Sequence, residues 1–193
     1  MAAVAVTPLA VAGQVNPEAA PAAEQASHTK YEVFAGVAYT RLRQASSVSY
    51  SGLIGGKAMV ARDWGRYFQL VGSGDYYRIG TGHAGLPNYG NPSVYSALVG
   101  PGIHATLYEN LGGMFYGEIG VEHTGGEAMN PATSFAGGFG GGLTYALGHN
   151  LGVQLTGDRV GASFSLPYNT PGLANSSHRT WNARGTCGVT YHF

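Results

Sequence analysis

Eight segments of this chain alternate apolar and polar residues with a period of two, which is the pattern of β-strands whose two faces meet different surroundings. The last segment, "RGTCGVTYHF", keeps the pattern to its final residue: Val189, Tyr191 and Phe193 are apolar, whereas Thr190 and His192 between them are polar. A soluble domain usually ends in a polar, frayed tail. This segment instead predicts a strand with an apolar face along its whole length.

The breaks between these segments alternate in length. Short breaks lie at 63–67, 108–112 and 147–151, and long ones at 43–51, 75–93, 123–133 and 164–179. Hairpins with all tight turns at one end and all long loops at the other are typical of membrane barrels. The pattern predicts an all-β fold, an eight-stranded antiparallel up-and-down transmembrane β-barrel over residues 30–193. Pro101 lacks a backbone donor, so we expect a bulge or a local break in pairing there.

The low fraction of charged residues indicates which face of the predicted barrel points outward. Only 10% of the 193 residues are charged, against roughly 25% in soluble domains. A soluble, lipocalin-like ligand-binding barrel, which stays an alternative, would have to cover its outside with these few charges. If the apolar stripe faces lipid instead, charged residues meet inside, where they can pair. Those residues are Lys57, Glu118, Glu122, Asp158 and Arg184.

The N-terminal part has a different composition. Residues 1–12 resemble the apolar core and small-residue cleavage site of a signal peptide without its basic beginning. We expect a truncated signal peptide, and the alternative is an Ala-rich tail. Residues 13–29 are rich in Pro and Ala and predict a disordered linker. The single cysteine, Cys187, excludes an intrachain disulfide, and the balance of 10 basic and 10 acidic residues gives no support for nucleic-acid binding.

Two ion pairs are expected inside the barrel, Lys57 with Glu118 and Asp158 with Arg184. They would hold the interior together, or they would gate a narrow conduction path. The "GGFGGG" segment at 137–142 has none of the surroundings of a phosphate-binding loop, and we expect its glycines to leave room for larger side chains across the lumen.

The spacing of the histidines and serines gives little support for a metal site or a catalytic site. His104 and His192 fall in the inward register and predict a hydrogen-bond network rather than a metal site, so no metal and no cofactor is expected. An enzyme that modifies lipid A, either an acyl transferase or a deacylase, remains an alternative. A deacylase would need an activated serine near the outer rim. The candidates are Ser134, Ser163, Ser165, Ser176 and Ser177, with His123 and His178.

Aromatic residues fall where a spanning strand would meet the two membrane interfaces. The predicted girdle consists of Tyr31, Tyr39, Trp64, Tyr95, Tyr145 and Trp181. The long break that follows the third strand adds Tyr76, Tyr77, Arg78 and Tyr89, which could contact a sugar or a protein partner. The alternative, which we favour, is that they serve as girdle and filler.

The chain resembles the small eight-stranded outer-membrane β-barrel family and is similar to the transmembrane domain of outer membrane protein A. The segments that carry the resemblance are "YEVFAGVAYTRLR", "SALVGPGIHA", "GGGLTYAL" and "GVTYHF". It implies a bacterial outer-membrane protein in contact with outer-membrane lipid, with periplasmic termini and extracellular long loops. It also implies that Val189, Tyr191 and Phe193 are read by the barrel-assembly machinery. The resemblance is silent on biochemical activity. We expect a structural or surface-interacting role that is not enzymatic, or that of a very narrow pore, with an extracellular partner that the sequence does not name.

Overall fold

A computed structural model describes residues 31–43, 50–80, 92–126, 131–165 and 177–193. The expected signal peptide, the expected linker and Tyr89 lie outside the described residues. In the described ranges no helix is long and apolar enough to cross a membrane.

Eight antiparallel strands form one closed barrel, as the sequence predicts. They are β1 (Tyr31–Arg43), β2 (Tyr50–Trp64), β3 (Phe68–Gly80), β4 (Pro92–Tyr108), β5 (Leu111–Gly126), β6 (Ala132–Ala146), β7 (Leu151–Ser165) and β8 (Ser177–His192). Each strand pairs with the next, and β8 pairs with β1, from Glu32 opposite His192 to Arg41 opposite Ala183. The terminal segment closes the barrel, so no strand edge is left without a partner.

The barrel has two distinct ends. We call the end with the short turns, at 65–67, 109–110 and 147–150, the turn end, and the opposite one the loop end. The turn after β2 contains Gly65 with φ of 89°, a left-handed conformation that glycine adopts without steric cost. At the loop end the strands run further than predicted, and β3 continues to Gly80 although the sequence predicted a break from 75.

Pairing is regular along most of the barrel. Between β4 and β5 the pairs stop at Val99 opposite Ile119 and resume at Gly102 opposite Tyr116, which leaves Pro101 in the local break that its missing donor predicts. The register shifts lie elsewhere, one of them between Ile54 and Gly55 in β2.

Apolar and polar residues separate across the barrel wall. Large apolar side chains in one register point outward and are exposed, among them Val37, Ile119 and Leu155. The other register points into the lumen and is largely polar and buried. An apolar outer face is unfavourable in water and suited to lipid. The arrangement is opposite to that of a lipocalin-like barrel, which places its apolar face inside.

Two apolar clusters fill cross-sections of the lumen. The cluster nearer the turn end contains Phe34, Met59, Ala61, Val71 and Tyr116. The cluster nearer the loop end contains Ala38, Leu53, Tyr77, Val94, Leu98, Ala136, Val160 and Ala162. Charged residues lie at the level between the two clusters. On β2, for example, Lys57 lies between Leu53 and Met59 along the strand.

Candidate functional site

The first ionic group in the lumen is centred on Asp158 of β7. The Nζ atom of Lys57 lies 2.5 Å from Asp158 Oδ2, and both side chains are almost fully buried. The Tyr116 hydroxyl donates to the other oxygen of Asp158, and Lys57 Nζ also lies 3.4 Å from that hydroxyl. Lys57 further stands 5.4 Å from the centre of the Tyr116 ring. One buried ammonium, one carboxylate and one phenol thus form a closed unit across the lumen.

The second group is centred on Arg184 of β8. Its Nη1 donates to Asp75 Oδ2 at 2.6 Å and to Ser96 Oγ at 2.9 Å, and its Nη2 donates to Glu122. Ser96 donates in turn to Asp75 at 2.7 Å. The guanidinium also lies over the Tyr77 ring, 5.4 Å from its centre. A planar guanidinium suits this position because its fixed fork can bond two carboxylates at once.

The predicted ion-pair residues all lie inside, but their partners differ from the prediction. Lys57 pairs with Asp158 rather than with Glu118, and Arg184 pairs with Asp75 and Glu122 rather than with Asp158. Asp158 and Arg184 are opposite each other in the β7–β8 ladder, yet their side chains take other partners. Long side chains reach across the lumen instead. The spacing of strands along the sequence does not predict such contacts.

Several buried polar atoms between the apolar clusters have no hydrogen-bond partner in the described part of the structure. Among the described residues, Glu118 Oε1, Asp75 Oδ1 and Glu122 Oε1 are buried without a hydrogen bond. Four carboxylates face only two basic groups in this part of the lumen, namely Asp75, Glu118, Glu122 and Asp158 against Lys57 and Arg184. Such atoms are normally satisfied by water, so we expect hydration in this central layer.

A glycine makes room for the first ionic group. Gly140 of β6 is opposite Tyr116 in one ladder and opposite Asp158 in the other. A Cβ atom at Gly140 would overlap the Asp158 carboxylate and would lie 2.9 Å from atoms of the Tyr116 ring. The glycine-rich β6 therefore accommodates the large side chains of its neighbours, as the sequence predicts.

A cavity of about 220 Å³ opens at the turn end of the lumen. His104 and His192 both line it, but each faces its own carboxylate: His104 Nε2 lies 3.7 Å from Asp63 and His192 Nδ1 lies 3.9 Å from Glu32. Within the part of the chain that the structure describes, no group of three or more potential ligands is placed to hold a metal ion.

The predicted girdle residues all point outward. Exposed rings lie near the turn end at Tyr31, Trp64 and Tyr145, and nearer the loop end at Tyr39, Tyr95 and Trp181.

Three predicted loop residues prove to be strand residues. Tyr76, Tyr77 and Arg78 belong to β3. Tyr77 points into the lumen and is completely buried, so it cannot contact an external partner. Tyr76 points outward and stacks on Tyr95, with ring centres 4.8 Å apart, which makes it a member of the girdle. The break was placed too early because the sequence there turns aromatic and glycine-rich while the two-residue period continues.

Sequence reasoning missed Asp75, Ser96 and Tyr116 as members of the ionic groups. The signal was present in each case, because all three fall in the inward register of their strands. Asp75 extends the inward series of Gln69 and Ser73 by one further step.

A serine nucleophile finds no support among the described side chains, none of which shows a hydrogen bond between a serine hydroxyl and a histidine. His123 Nδ1 lies 2.8 Å from Thr133 Oγ1, and Ser134 Oγ accepts from the Ser163 backbone N–H at 3.2 Å. Ser176 and the side chains of Ser165, Ser177 and His178 lie outside the described part of the structure.

Comparison with known proteins identifies the fold. No protein-family model and no curated protein matches the sequence. Among solved structures, the chain is similar to Ail, the attachment invasion locus protein of Yersinia pestis, with 16% identity and a TM-score of 0.56 over 84% of this chain and 97% of that one. Neisserial surface protein A shares 12% identity with a TM-score of 0.64, over 85% of this chain and 97% of its own.

OprG, an outer membrane protein of Pseudomonas aeruginosa, shares 9% identity with a TM-score of 0.55, over 84% of this chain and 95% of that chain. At such identities the likeness concerns the fold alone. The closed eight-stranded barrel, its apolar outer face and these neighbours together agree with the resemblance seen in the sequence. The fold of this chain is that of the small eight-stranded outer-membrane β-barrels.

Proposed function

We propose that this chain is an integral outer-membrane protein that acts through the surface it presents, with its termini in the periplasm and its long connections outside the cell. The single observation that carries the proposal is the filled lumen. Phe34 and Tyr116 in one apolar cluster and Tyr77 in the other are at most 1% exposed, and the two ionic groups span the space between the clusters. A lumen filled in this way leaves the outside of the barrel and the long connections as the parts that can meet a partner.

The neighbours are compatible with a surface role. One is described as an attachment invasion locus protein, which has also been crystallised with the heparin analogue sucrose octasulfate, and another as a surface protein. These descriptions belong to those proteins. For this chain they support a partner outside the cell, whose chemistry is left to experiment.

Two measurements test the surface role. In planar bilayers the refolded full chain should give no steady single-channel current, because the apolar clusters exclude a continuous water path. On intact cells, an added protease should cut in the long connections, such as residues 81–91 or 166–176, and leave the short turns uncut. Cleavage at the short turns in intact cells would show that the orientation is opposite to the proposed one. A steady current would contradict the closed lumen.

A very narrow pore is the second candidate. The unpartnered carboxylate oxygens in the central layer favour it, because water that satisfies them would already occupy part of a path. Lys57 and Arg184 would then act as the gate between the apolar clusters. The bilayer measurement separates the candidates, since a gated pore gives rare, brief openings whose frequency changes in a Lys57→Met variant.

The C-terminal residues are proposed as the signal for barrel assembly. Phe193 N donates to the Tyr31 carbonyl at 2.9 Å, and its ring meets that of Tyr191 edge-on with centres 4.9 Å apart. Deletion of Phe193 should lower the amount of folded barrel in the outer membrane, measured as heat-modifiable gel mobility of membrane fractions. The purified deletion variant should still refold in detergent, because the strand pairs of β8 with β1 remain. Equal membrane levels of the deletion variant and the wild type would contradict the assignment.

A further inference from the structure

The cavity at the turn end is closed at its inner end. Met114 lines the cavity and packs against the apolar cluster that contains Phe34, Met59 and Tyr116, so this cluster forms a floor. The volume of about 220 Å³ corresponds to about seven water molecules at roughly 30 Å³ each. Sites for drug-sized ligands measure about 300–1,000 Å³. The cavity therefore suits a smaller ligand, which the floor keeps from moving deeper into the lumen.

Two carboxylates determine the charge of this cavity. Glu32 of β1 and Glu109 in the turn after β4 line it, and none of the described lining residues is a lysine or an arginine. Glu32 Oε1 accepts a hydrogen bond from the Thr190 hydroxyl at 2.8 Å. Its Oε2 lies 3.9 Å from His192 Nδ1, which is too far for a hydrogen bond. Glu32 Oε2 can therefore accept from a cationic group of a ligand.

A buried amide supplies a second polar group. Gln69 of β3 lines the cavity and is 4% exposed, and its Nε2 has no hydrogen-bond partner in the described part of the structure. A buried N–H donor is unfavourable until an acceptor, such as a carbonyl oxygen, satisfies it. Much of the remaining wall is apolar, with Ala105, Leu111 and Ala146. The lining thus offers one place each for a cation, an acceptor and an apolar group.

We propose that this cavity binds a primary ammonium next to a neutral carbonyl group and an apolar side chain, the chemistry of an amino-acid amide or of the amino terminus of a peptide. Glu32 accepts from the ammonium, and Gln69 Nε2 donates to the carbonyl oxygen. A free amino acid fits less well, because its carboxylate meets Glu32 and Glu109. The inference goes beyond the proposed surface role, since the cavity lies at the opposite end from the long connections. It holds whichever end faces the outside of the cell.

The test uses the full chain refolded in an uncharged maltoside detergent, with isothermal titration calorimetry at neutral pH. Leucinamide carries all three groups, 3-methylbutylamine lacks the carbonyl group, and 4-methylpentanamide lacks the ammonium. Leucinamide should bind at least about tenfold more tightly than 4-methylpentanamide or free leucine, a difference of about 1.4 kcal/mol. It should bind at least about threefold more tightly than 3-methylbutylamine, because a neutral hydrogen bond contributes less than a charged one.

Substitutions assign the two contacts. Glu32→Gln should weaken leucinamide binding at least about tenfold and leave 4-methylpentanamide binding unchanged, because only the ammonium needs the charge. Gln69→Leu should weaken leucinamide binding at least about threefold and leave 3-methylbutylamine binding unchanged. Asp63→Asn is the matched control, since Asp63 lies at the same end but is not among the described lining residues. It should change leucinamide binding by less than about twofold, because solvent screens the partly exposed Asp63. Heat-modifiable gel mobility checks that each variant is folded.

The remaining outcomes decide the proposal. If leucinamide binds no more tightly than leucine, or if Asp63→Asn weakens binding as much as Glu32→Gln does, the cavity is no site for this chemistry. If Gln69→Leu weakens 3-methylbutylamine as much as leucinamide, Gln69 does not contact the carbonyl group and the proposal is wrong. A tripeptide amide that begins with leucine separates the two sources of the ligand. Binding as tight as that of leucinamide supports a peptide terminus, and weaker binding supports a free small molecule.

Discussion

Replacement of Arg184 by methionine should lower the free energy of unfolding by about 3–5 kcal/mol, which is the cost of removing one partner from a buried ion pair. Arg184 is 4% exposed and donates to Asp75, Ser96 and Glu122. Methionine fills a similar volume, so the loss reports the two carboxylates that would remain without a counter-charge. The measurement is urea unfolding of the barrel refolded in detergent, followed by tryptophan fluorescence.

Two further variants identify the cause of that loss. Arg62→Met removes an arginine from the exposed outer wall and should change the free energy of unfolding by less than about 1 kcal/mol. Adding Asp75→Asn and Glu122→Gln to Arg184→Met should restore most of the loss, because neutral amides need no counter-charge. If the triple variant is no more stable than Arg184→Met, the ionic group does not account for the effect. Equal losses in Arg184→Met and Arg62→Met would lead to the same conclusion.

The sequence predicts the barrel well because the wall is a single sheet. Whether a residue has an odd or even position along its strand therefore decides whether its side chain points to the outside or into the lumen. In β8 the alternation alone places Trp181 and Val189 outside and Arg184 inside, and the structure agrees at each position. Strand number and the order of short and long connections follow in the same way from the spacing of the breaks. The assignment fails where composition changes but the period does not, as at Tyr77, which glycine and aromatic neighbours suggested to be in a loop.

Contacts across the lumen could not be predicted from the sequence. Which carboxylate Lys57 reaches depends on the shear of the barrel, that is, on how far each strand is staggered against the next. A change of one residue in the pairing of two strands turns every side chain of a strand to the other face of the sheet. Small changes in stagger also decide whether Glu118 or Asp158 lies within reach of Lys57. The sequence could therefore place the charges inside without pairing them correctly.

The glycine at position 140 should be a point where one added methyl group disturbs the interior. Gly140→Ala should lower the free energy of unfolding by about 1–3 kcal/mol, because overpacking forces neighbouring side chains away from their preferred conformations. The methyl group would meet the Asp158 carboxylate and the Tyr116 ring, and Lys57 would lose its place against both. The effect opposes the usual gain when alanine replaces glycine inside a strand, which is about 0.5–1 kcal/mol.

Gly157→Ala provides the matched control. Gly157 lies on the neighbouring strand β7, points outward, and has open space where a Cβ atom would be placed. Its replacement should leave stability unchanged or raise it slightly in the same urea titration. A smaller partner should relieve the clash, so that Tyr116→Leu costs less in the Gly140→Ala background than in the wild type, giving a coupling energy of about 0.5 kcal/mol or more. Additive effects of the two substitutions would mean that the methyl group does not press on Tyr116, and the cross-lumen packing described for Gly140 would then be wrong.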